Sequence, residues 1–238
     1  MDLVLATSNP HKLEEMNAIF GVLLPGKVRF IGLKEAAAGR ALVEPAETGS
    51  TFEENATIKA VSYAQQTGRV CLADDSGLEI DALQGRPGVI SSHYCTDGRE
   101  AGMSRAERDG ANNERVLREM AGVPWEERGA RFVCVMVVAE PAAEPGAGRG
   151  GRVLHRVRGT FEGRIGYAAG DPANADPRRR VPRGERGFGY DPLILVPPGY
   201  EQTSAELAPD EKNARSHRGA AARLLTAELL AMPRAQGR

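Results

Sequence analysis

The run Phe132-Val133-Cys134-Val135-Met136-Val137-Val138 is apolar at every position. Successive strand residues face opposite sides, so a strand with this composition must be covered above and below. That demand selects a layered fold, and the rest of the chain supplies the layers. Leu3-Val4-Leu5-Ala6 reads as a strand that breaks at Thr7-Ser8-Asn9-Pro10. There Asn9 can cap a helix and Pro10 can take its first position, with Leu13, Met16, Ile19 and Phe20 following at helical spacing. Thr51-Phe52-Glu53-Glu54 has the spacing of a capping box, and Ala56, Ala60, Tyr63 and Ala64 form one small apolar stripe behind it. This helix leads into the strand Val70-Cys71-Leu72-Ala73. After Asp74-Asp75-Ser76-Gly77, the alternation of Leu78, Ile80 and Leu83 predicts a further strand, and Val116, Leu117 and Met120 predict a helix. Leu193 to Val196 reads as the closing strand, before one Ala/Leu-rich helix over about 211–232 and a frayed tail. Strands alternating with helices throughout define an α/β fold.

At 238 residues, with 41% hydrophobic and 26% charged positions, the chain can fill a sizeable core, and we expect one folding unit. The formal charge of −1 leaves no global field, which weighs against bulk binding to nucleic acid. Cys71, Cys95 and Cys134 are odd in number and lack CxxC spacing, which argues against a disulfide framework or a cysteine zinc site and fits a reducing cytoplasm. No apolar run reaches transmembrane length, and the opening strand has no basic segment or secretory core before it, so neither membrane insertion nor export is expected. Two stretches, 141–151 and 171–186, are rich in Gly, Pro and Ala or Arg and read as flexible surface insertions. The Arg178-Arg179-Arg180 run within the second is read as a solvated charge run in preference to a phosphate contact.

Four segments could carry chemistry. Thr7-Ser8-Asn9-Pro10-His11-Lys12 lies where a strand feeds a helix N-terminus, which favours anions; the glycines of a Walker A loop are absent, and ordinary capping would use the same residues. Ala73-Asp74-Asp75-Ser76-Gly77 sets adjacent carboxylates at a strand end, suited to Mg²⁺, although a solvated Asx turn has the same composition. Glu47, beside Thr48 and Gly49, is a candidate third carboxylate. Gly187-Phe188-Gly189-Tyr190-Asp191-Pro192 joins permissive glycines to two rings, one of which could stack a nucleobase or simply pack in the core. Lys212, Ser216, His217 and Arg218 gather cationic groups near the last helix. On an unbroken helix Lys212 and His217 would lie about 140° apart, so they meet at one ligand only if that helix is interrupted. The remaining histidines, His11, His93 and His155, have no ligand-like spacing.

Taken together these segments resemble the inosine triphosphate pyrophosphatase family, and the match covers nearly the whole chain. Leu5-Ala6-Thr7-Ser8-Asn9 with Lys12 looks like its phosphate segment, Thr51-Phe52-Glu53-Glu54-Asn55-Ala56 like its helical signature, and Ala73-Asp74-Asp75-Ser76-Gly77-Leu78 like its metal and catalytic turn. Phe188-Gly189-Tyr190-Asp191 and Ser216-His217-Arg218-Gly219 look like its base-site segments. The resemblance implies an elongated mixed sheet flanked by helices, two lobes around a central nucleotide cleft, a homodimer, and Mg²⁺-dependent release of pyrophosphate from inosine, deoxyinosine and xanthosine triphosphates. By the same resemblance Thr7, Ser8, Asn9, Pro10, His11 and Lys12 hold the triphosphate, Glu47 and Asp75 engage the metal, and Asp75 activates water. Ser76, Phe188, Gly189, Tyr190, Asp191, Lys212, His217 and Arg218 then surround the nucleotide.

Two features depart from that pattern. Ser91-Ser92-His93-Tyr94 carries His93 where the family usually has arginine, and the 171–186 stretch is longer than expected. We expect Lys12 and Lys212 to serve phosphates and Arg218 to aim donors at position 6 of the purine, which would spare adenine. Two other readings are open: a related pyrophosphatase of the septum-inhibition type, acting on modified pyrimidine or 7-methylguanosine triphosphates, and a nucleotide-binding sensor without turnover. Glu47, Asp74 and Asp75 weigh against the sensor, because loss of a carboxylate is the simple route to loss of the metal.

Overall fold

In the computed structural model the described residues are 2–7, 10–142 and 151–231, the side chains of Pro10 and His11 excepted. Six strands, β1 (Asp2–Leu5), β2 (Arg29–Gly32), β3 (Cys71–Ile80), β4 (Gly129–Glu140), β5 (Arg152–Ile165) and β6 (Ile194–Leu195), are ordered β2-β1-β3-β4-β5-β6. β1 runs parallel to β2 and β3, whereas β5 and β6 are antiparallel, so the sheet is mixed as expected. The main helices are α1 (Pro10–Leu23), α2 (Leu33–Ala37), α3 (Phe52–Thr67), α4 (Arg105–Glu119), α5 (Pro209–Arg215) and α6 (His217–Ala231). Among the described residues no helix is long and apolar enough to cross a membrane, and all three cysteines are free.

The chain divides into two compact units, each assembled from separate segments. The first comprises Met1–Asp75, Cys134–Gly159 and His217–Arg238; the second comprises Ser76–Val133 and Thr160–Ser216. β3, β4 and β5 each run on from one unit into the other.

In the first unit the side-chain period of two decides which helix meets which residue. Leu3, Leu5, Leu72, Cys134, Met136 and Val138 pack in one cluster with Met16, Ile19 and Phe20 of α1 and with Ala221, Ala222 and Leu225 of α6. The helical spacing read for α1 is thus the face that is buried. Cys71 points the other way, where Thr67 of α3 meets it at 3.5 Å. α3 lies against that face through Ala56, Ala60, Tyr63 and Ala64, all buried. Thr51 caps α3 by accepting the Glu54 N–H at 3.1 Å. The carboxylate of Glu54 turns back one residue further than a capping box requires and accepts from the Ser50 N–H and hydroxyl.

The second unit has its own core, in which Leu78, Ile80, Tyr94, Val116, Met120, Phe132, Ile165, Leu193 and Ile194 are buried together. Leu83 joins it from a short 3₁₀ turn, Asp81–Leu83, and not from a strand. In the 171–186 segment, Arg178 pairs with Asp176 and Glu201, and Arg179 lies over the Trp125 ring at 4.0 Å. Most of the 141–151 stretch, Met232 and the tail beyond it lie outside the described residues.

The predicted helix over 211–232 is two helices. Ser216 takes an extended conformation, φ −60° and ψ 155°, which ends α5 and stands immediately before His217, the first residue of α6. Serine is among the residues that favour the position before a helix start, and the Ala/Leu composition on either side conceals the break in the sequence.

The first turn of α6 is set by β5. A Cβ on Gly159 would press into the His217 carbonyl oxygen and the Ala221 nitrogen, so glycine is what permits this approach. Gly159→Ala is expected to cost about 1–3 kcal/mol, the usual penalty for forcing a methyl into a packed contact. Urea denaturation measures it; an unchanged midpoint would show that α6 yields without cost.

Candidate functional site

β3 carries the two aspartates, and its course corrects the sequence reading. Asp74-Asp75-Ser76-Gly77 was expected as a turn between two strands, but β3 runs unbroken from Cys71 to Ile80. Pairing to neighbouring strands overrides a composition that in isolation favours turns. The consequence is geometric. Consecutive residues of a strand face opposite sides, so Asp74 and Asp75 take different direct ion-pair partners.

Asp74 shares the side of Leu72, where α1 and α6 lie. Its carboxylate is buried and accepts Lys12 Nζ at 3.0 Å, with Arg218 Nε at 3.6 Å. Arg218 is buried as well, and its Nη1 donates to Glu15 at 2.9 Å. Glu15 and Lys12 are three apart on α1 and therefore neighbours on its surface. Two acids and two bases alternate along this row. Burial alone would raise the Asp74 pKa, but Lys12, Arg218 and Lys59 outweigh it and hold the carboxyl far below the ordinary range. Burial would likewise depress Arg218, and Glu15 and Asp74 more than restore it. Of the other predicted phosphate residues, Thr7 ends the described part of β1's outlet. Ser8, Asn9 with its expected cap, and the side chains of Pro10 and His11 lie outside the described residues, while Pro10 does open α1.

Asp75 faces α3. Its Oδ1 receives Lys59 Nζ at 3.2 Å, and the same ammonium reaches Glu47 Oε2 at 3.2 Å. Two carboxylates thus share one ammonium. Asp75 Oδ2 is buried and accepts no hydrogen bond among the described residues. Burial pushes the Asp75 carboxyl above its ordinary value, against the pull of Lys59 and Lys12 and with a further push from Glu47. Lys59 moves up too: burial opposes its charge, but Asp75, Asp74 and Glu47 together favour it more.

This trio fits a hard cation. It is one positive charge short, and it leaves a buried carboxylate oxygen with no donor among the described residues. Among the described residues no group of three or more His, Cys, Asp or Glu side chains could cage a metal. Two carboxylates are nevertheless enough for Mg²⁺, which keeps several waters and takes phosphate oxygens in place of further protein ligands. Lys59 was missed in the sequence, although a signal existed: it lies three residues after Ala56 and four before Tyr63, on the apolar stripe of α3, where a lysine needs a reason.

The predicted base-site residues fall in the second unit, apart from His217 and Arg218. Asp191 organises them. It is buried and accepts from the Phe188 N–H at 2.8 Å, the Ser204 hydroxyl at 2.8 Å and Lys212 Nζ at 2.5 Å. Gly187, at φ +80°, leaves the room in which a Cβ would strike Asp191 and Lys212. Lys212, expected on phosphate, is therefore bound to Asp191, and its Nζ lies 5.8 Å from the Phe188 ring centroid. Phe188 is 36% exposed, so it is not the core residue that its composition alone allowed. Tyr190 is that core residue, buried with its hydroxyl on the Ser91 carbonyl at 2.6 Å. Ser76 is half-buried on β3, and His217 is buried at the start of α6. His93 bridges Ser92, through Nδ1 at 2.8 Å, and Glu100, through Nε2 at 3.1 Å.

Comparison with known proteins places this architecture. The model of the Ham1 family matches residues 3–228. A dITP/XTP pyrophosphatase of Exiguobacterium sp. is 42% identical over 230 residues, covering 97% of both chains. Another from Nitratidesulfovibrio vulgaris is 43% identical over 225 residues, covering 94% of this chain and 93% of its own. Among solved structures, a HAM1 protein from Coxiella burnetii superposes with a TM-score of 0.73 at 38% identity, covering 98% of this chain and all of that one. Matches of this length and identity, on a mixed sheet bearing the expected motifs in order, leave one assignment: the chain belongs to the Ham1 family.

Proposed function

We propose that the chain hydrolyses non-standard purine nucleoside triphosphates, dITP, ITP and XTP, to the monophosphate and pyrophosphate, and so clears them from the nucleotide pool. The observation that carries this reading is the pair of adjacent buried aspartates with opposed surroundings, one neutralised and one left short of positive charge. The relatives named dITP/XTP pyrophosphatase support the choice of substrate. The reading has the enzyme acting as a homodimer on free nucleotides in the cytoplasm, and not on nucleic acid or membranes.

In this reading Lys12 and the start of α1 receive phosphate oxygens, with charge held in place by Asp74, Arg218 and Glu15. The Asp75 carboxylate, whose Oδ2 accepts no hydrogen bond among the described residues, takes the proton of the attacking water. Lys59 keeps Asp75 and Glu47 together and faces the developing negative charge. Mg²⁺, held by Glu47 and Asp75, would neutralise charge on the phosphates as pyrophosphate leaves. Phe188 offers a face to the purine, with Gly189 and Tyr190 shaping the loop around it and Ser76 touching the sugar-phosphate end.

The deciding assay measures pyrophosphate released from inosine, xanthosine, guanosine and adenosine triphosphates, and from modified pyrimidine and 7-methylguanosine triphosphates. Pyrophosphate should appear rapidly from the first two and slowly from the others. Release only from modified pyrimidine triphosphates would transfer the chain to the septum-inhibition type of activity, and binding without release would make it a sensor.

Asp75→Asn should keep its fold and lose at least about 100-fold in kcat, the lower range of general-base effects. Near-wild-type turnover at saturating Mg²⁺ would remove Asp75 from the mechanism. Lys59→Met tests the cation site without relying on turnover. It strips the shared ammonium from two carboxylates, so the variant should melt lower than wild type without metal and gain more than wild type when Mg²⁺ is added. An equal Mg²⁺ shift in both proteins, read as Tm, would count against Glu47 and Asp75 as the metal's ligands.

A further inference from the structure

Phe188 has a cation beside it that neither the motifs nor the proposed chemistry uses. Arg105 Cζ lies 4.6 Å from the centroid of the Phe188 ring. Arg105 is the first residue of α4, where the helix dipole disfavours positive charge. Its position is fixed, because Ser104 and Glu107 form a complete capping box at that turn. Neither the helix dipole nor the cap therefore explains the choice of arginine here.

Among the described residues, Arg105 of α4 and Lys212 of α5 lie beside the ring, and the loop that carries it is held by Asp109 of α4 and by Asp191. They are not evenly paired. Lys212 is held by Asp191 at 2.5 Å. Arg105 has Asp109 only at 3.8 Å, and that same Asp109 oxygen accepts the Gly189 N–H at 3.0 Å. Arg105 is thus the less compensated cation next to the ring.

We propose that Arg105 is a specificity-determining residue that favours purines with an ionised ring, xanthine over hypoxanthine. This rests on the reading of Phe188 as the surface that receives the base. Xanthine in a nucleotide carries a second ring N–H, at position 3 beside its 2-carbonyl, and loses a proton near neutral pH, whereas hypoxanthine stays neutral. The face of a phenyl ring is itself negative, so an anionic base stacked on it is repelled unless a cation lies close. Arg105 supplies that cation.

The test compares kcat/KM for xanthosine and inosine triphosphates in wild type, Arg105→Gln, Arg105→Lys and Phe188→Ala. Arg105→Gln should lower the xanthosine-to-inosine ratio about two- to fivefold, the size of a cation–ring contact at a half-exposed site, chiefly through KM for xanthosine triphosphate. Arg105→Lys should restore most of the ratio. At a pH acid enough to return xanthine's proton, wild type and Arg105→Gln should show the same ratio. An equal loss on both substrates in Arg105→Gln would reduce Arg105 to holding α4 in place and overturn the proposal. Phe188→Ala separates the two levels. If it raises KM for both substrates while Arg105→Gln leaves the ratio fixed, only Arg105 is misassigned; if it alters neither KM, the base surface itself is elsewhere and the proposal falls with it.

Discussion

Two carboxylates in consecutive positions of a buried strand cannot be neutralised by one partner. The strand turns Asp74 toward α1 and α6 and Asp75 toward α3, so each helix layer must bring its own cation inward. Breaking a buried ion pair by removing one partner costs about 3–5 kcal/mol, set against a total folding margin of about 5–15 kcal/mol. Lys12, Lys59 and Arg218 are therefore obligations of the fold as much as candidates for function. The packing of α1, α3 and α6 on the sheet follows from where those cations have to reach.

The two neutralisations are unequal, and the inequality sets the surroundings of the two aspartates apart. Asp74 sits in a balanced row of Glu15, Arg218 and Lys12, and its carboxyl is driven far below the ordinary range. It stays charged and fixed. Asp75 shares one lysine with Glu47, is raised by burial, and keeps an oxygen without a donor among the described residues. Neighbouring acids whose environments push their pKa values apart are the usual mark of divided labour, one holding charge and the other moving a proton.

Much of the fold was legible in the sequence because periodicity and caps are local. β1, the start of α1 at Pro10, α3 behind Thr51 and the apolar run Phe132 to Val138 within β4 stand where their patterns predicted them. Asp74-Asp75-Ser76-Gly77 misled because a turn-like composition gives way to strand pairing, which a single segment does not display. The break at Ser216 was hidden inside an Ala/Leu-rich stretch, although the angle between Lys212 and His217 had already required either a break or separate roles. Lys59 and Glu15 could have been found from their helix faces, Lys59 on an apolar stripe and Glu15 one turn after Lys12. Arg105 could not, because its aromatic partner is distant in sequence and joins it only in three dimensions. Arg218 shows the opposite limit: a motif identified it as functional, but only the structure shows its first commitment to Glu15 and Asp74.

The Phe188 loop shows how a segment with little structure of its own becomes a usable surface. Gly187 and Gly189 both sit at positive φ, and glycine pays more backbone entropy on ordering than any other residue. Left alone, such a loop would sample many shapes, and a ligand would have to bear the cost of selecting one. Here the cost is met in folding. Asp191 takes the Phe188 N–H, while Asp109 and Asn113 of α4 take the N–H and carbonyl of Gly189, so both groups of that peptide residue are fixed from one helix face. Arg105, one turn before Asp109 on the same face, lies against the ring itself. A rigid helix thus dictates where the ring stands before anything binds, which is the condition for a charge beside that ring to distinguish one base from another.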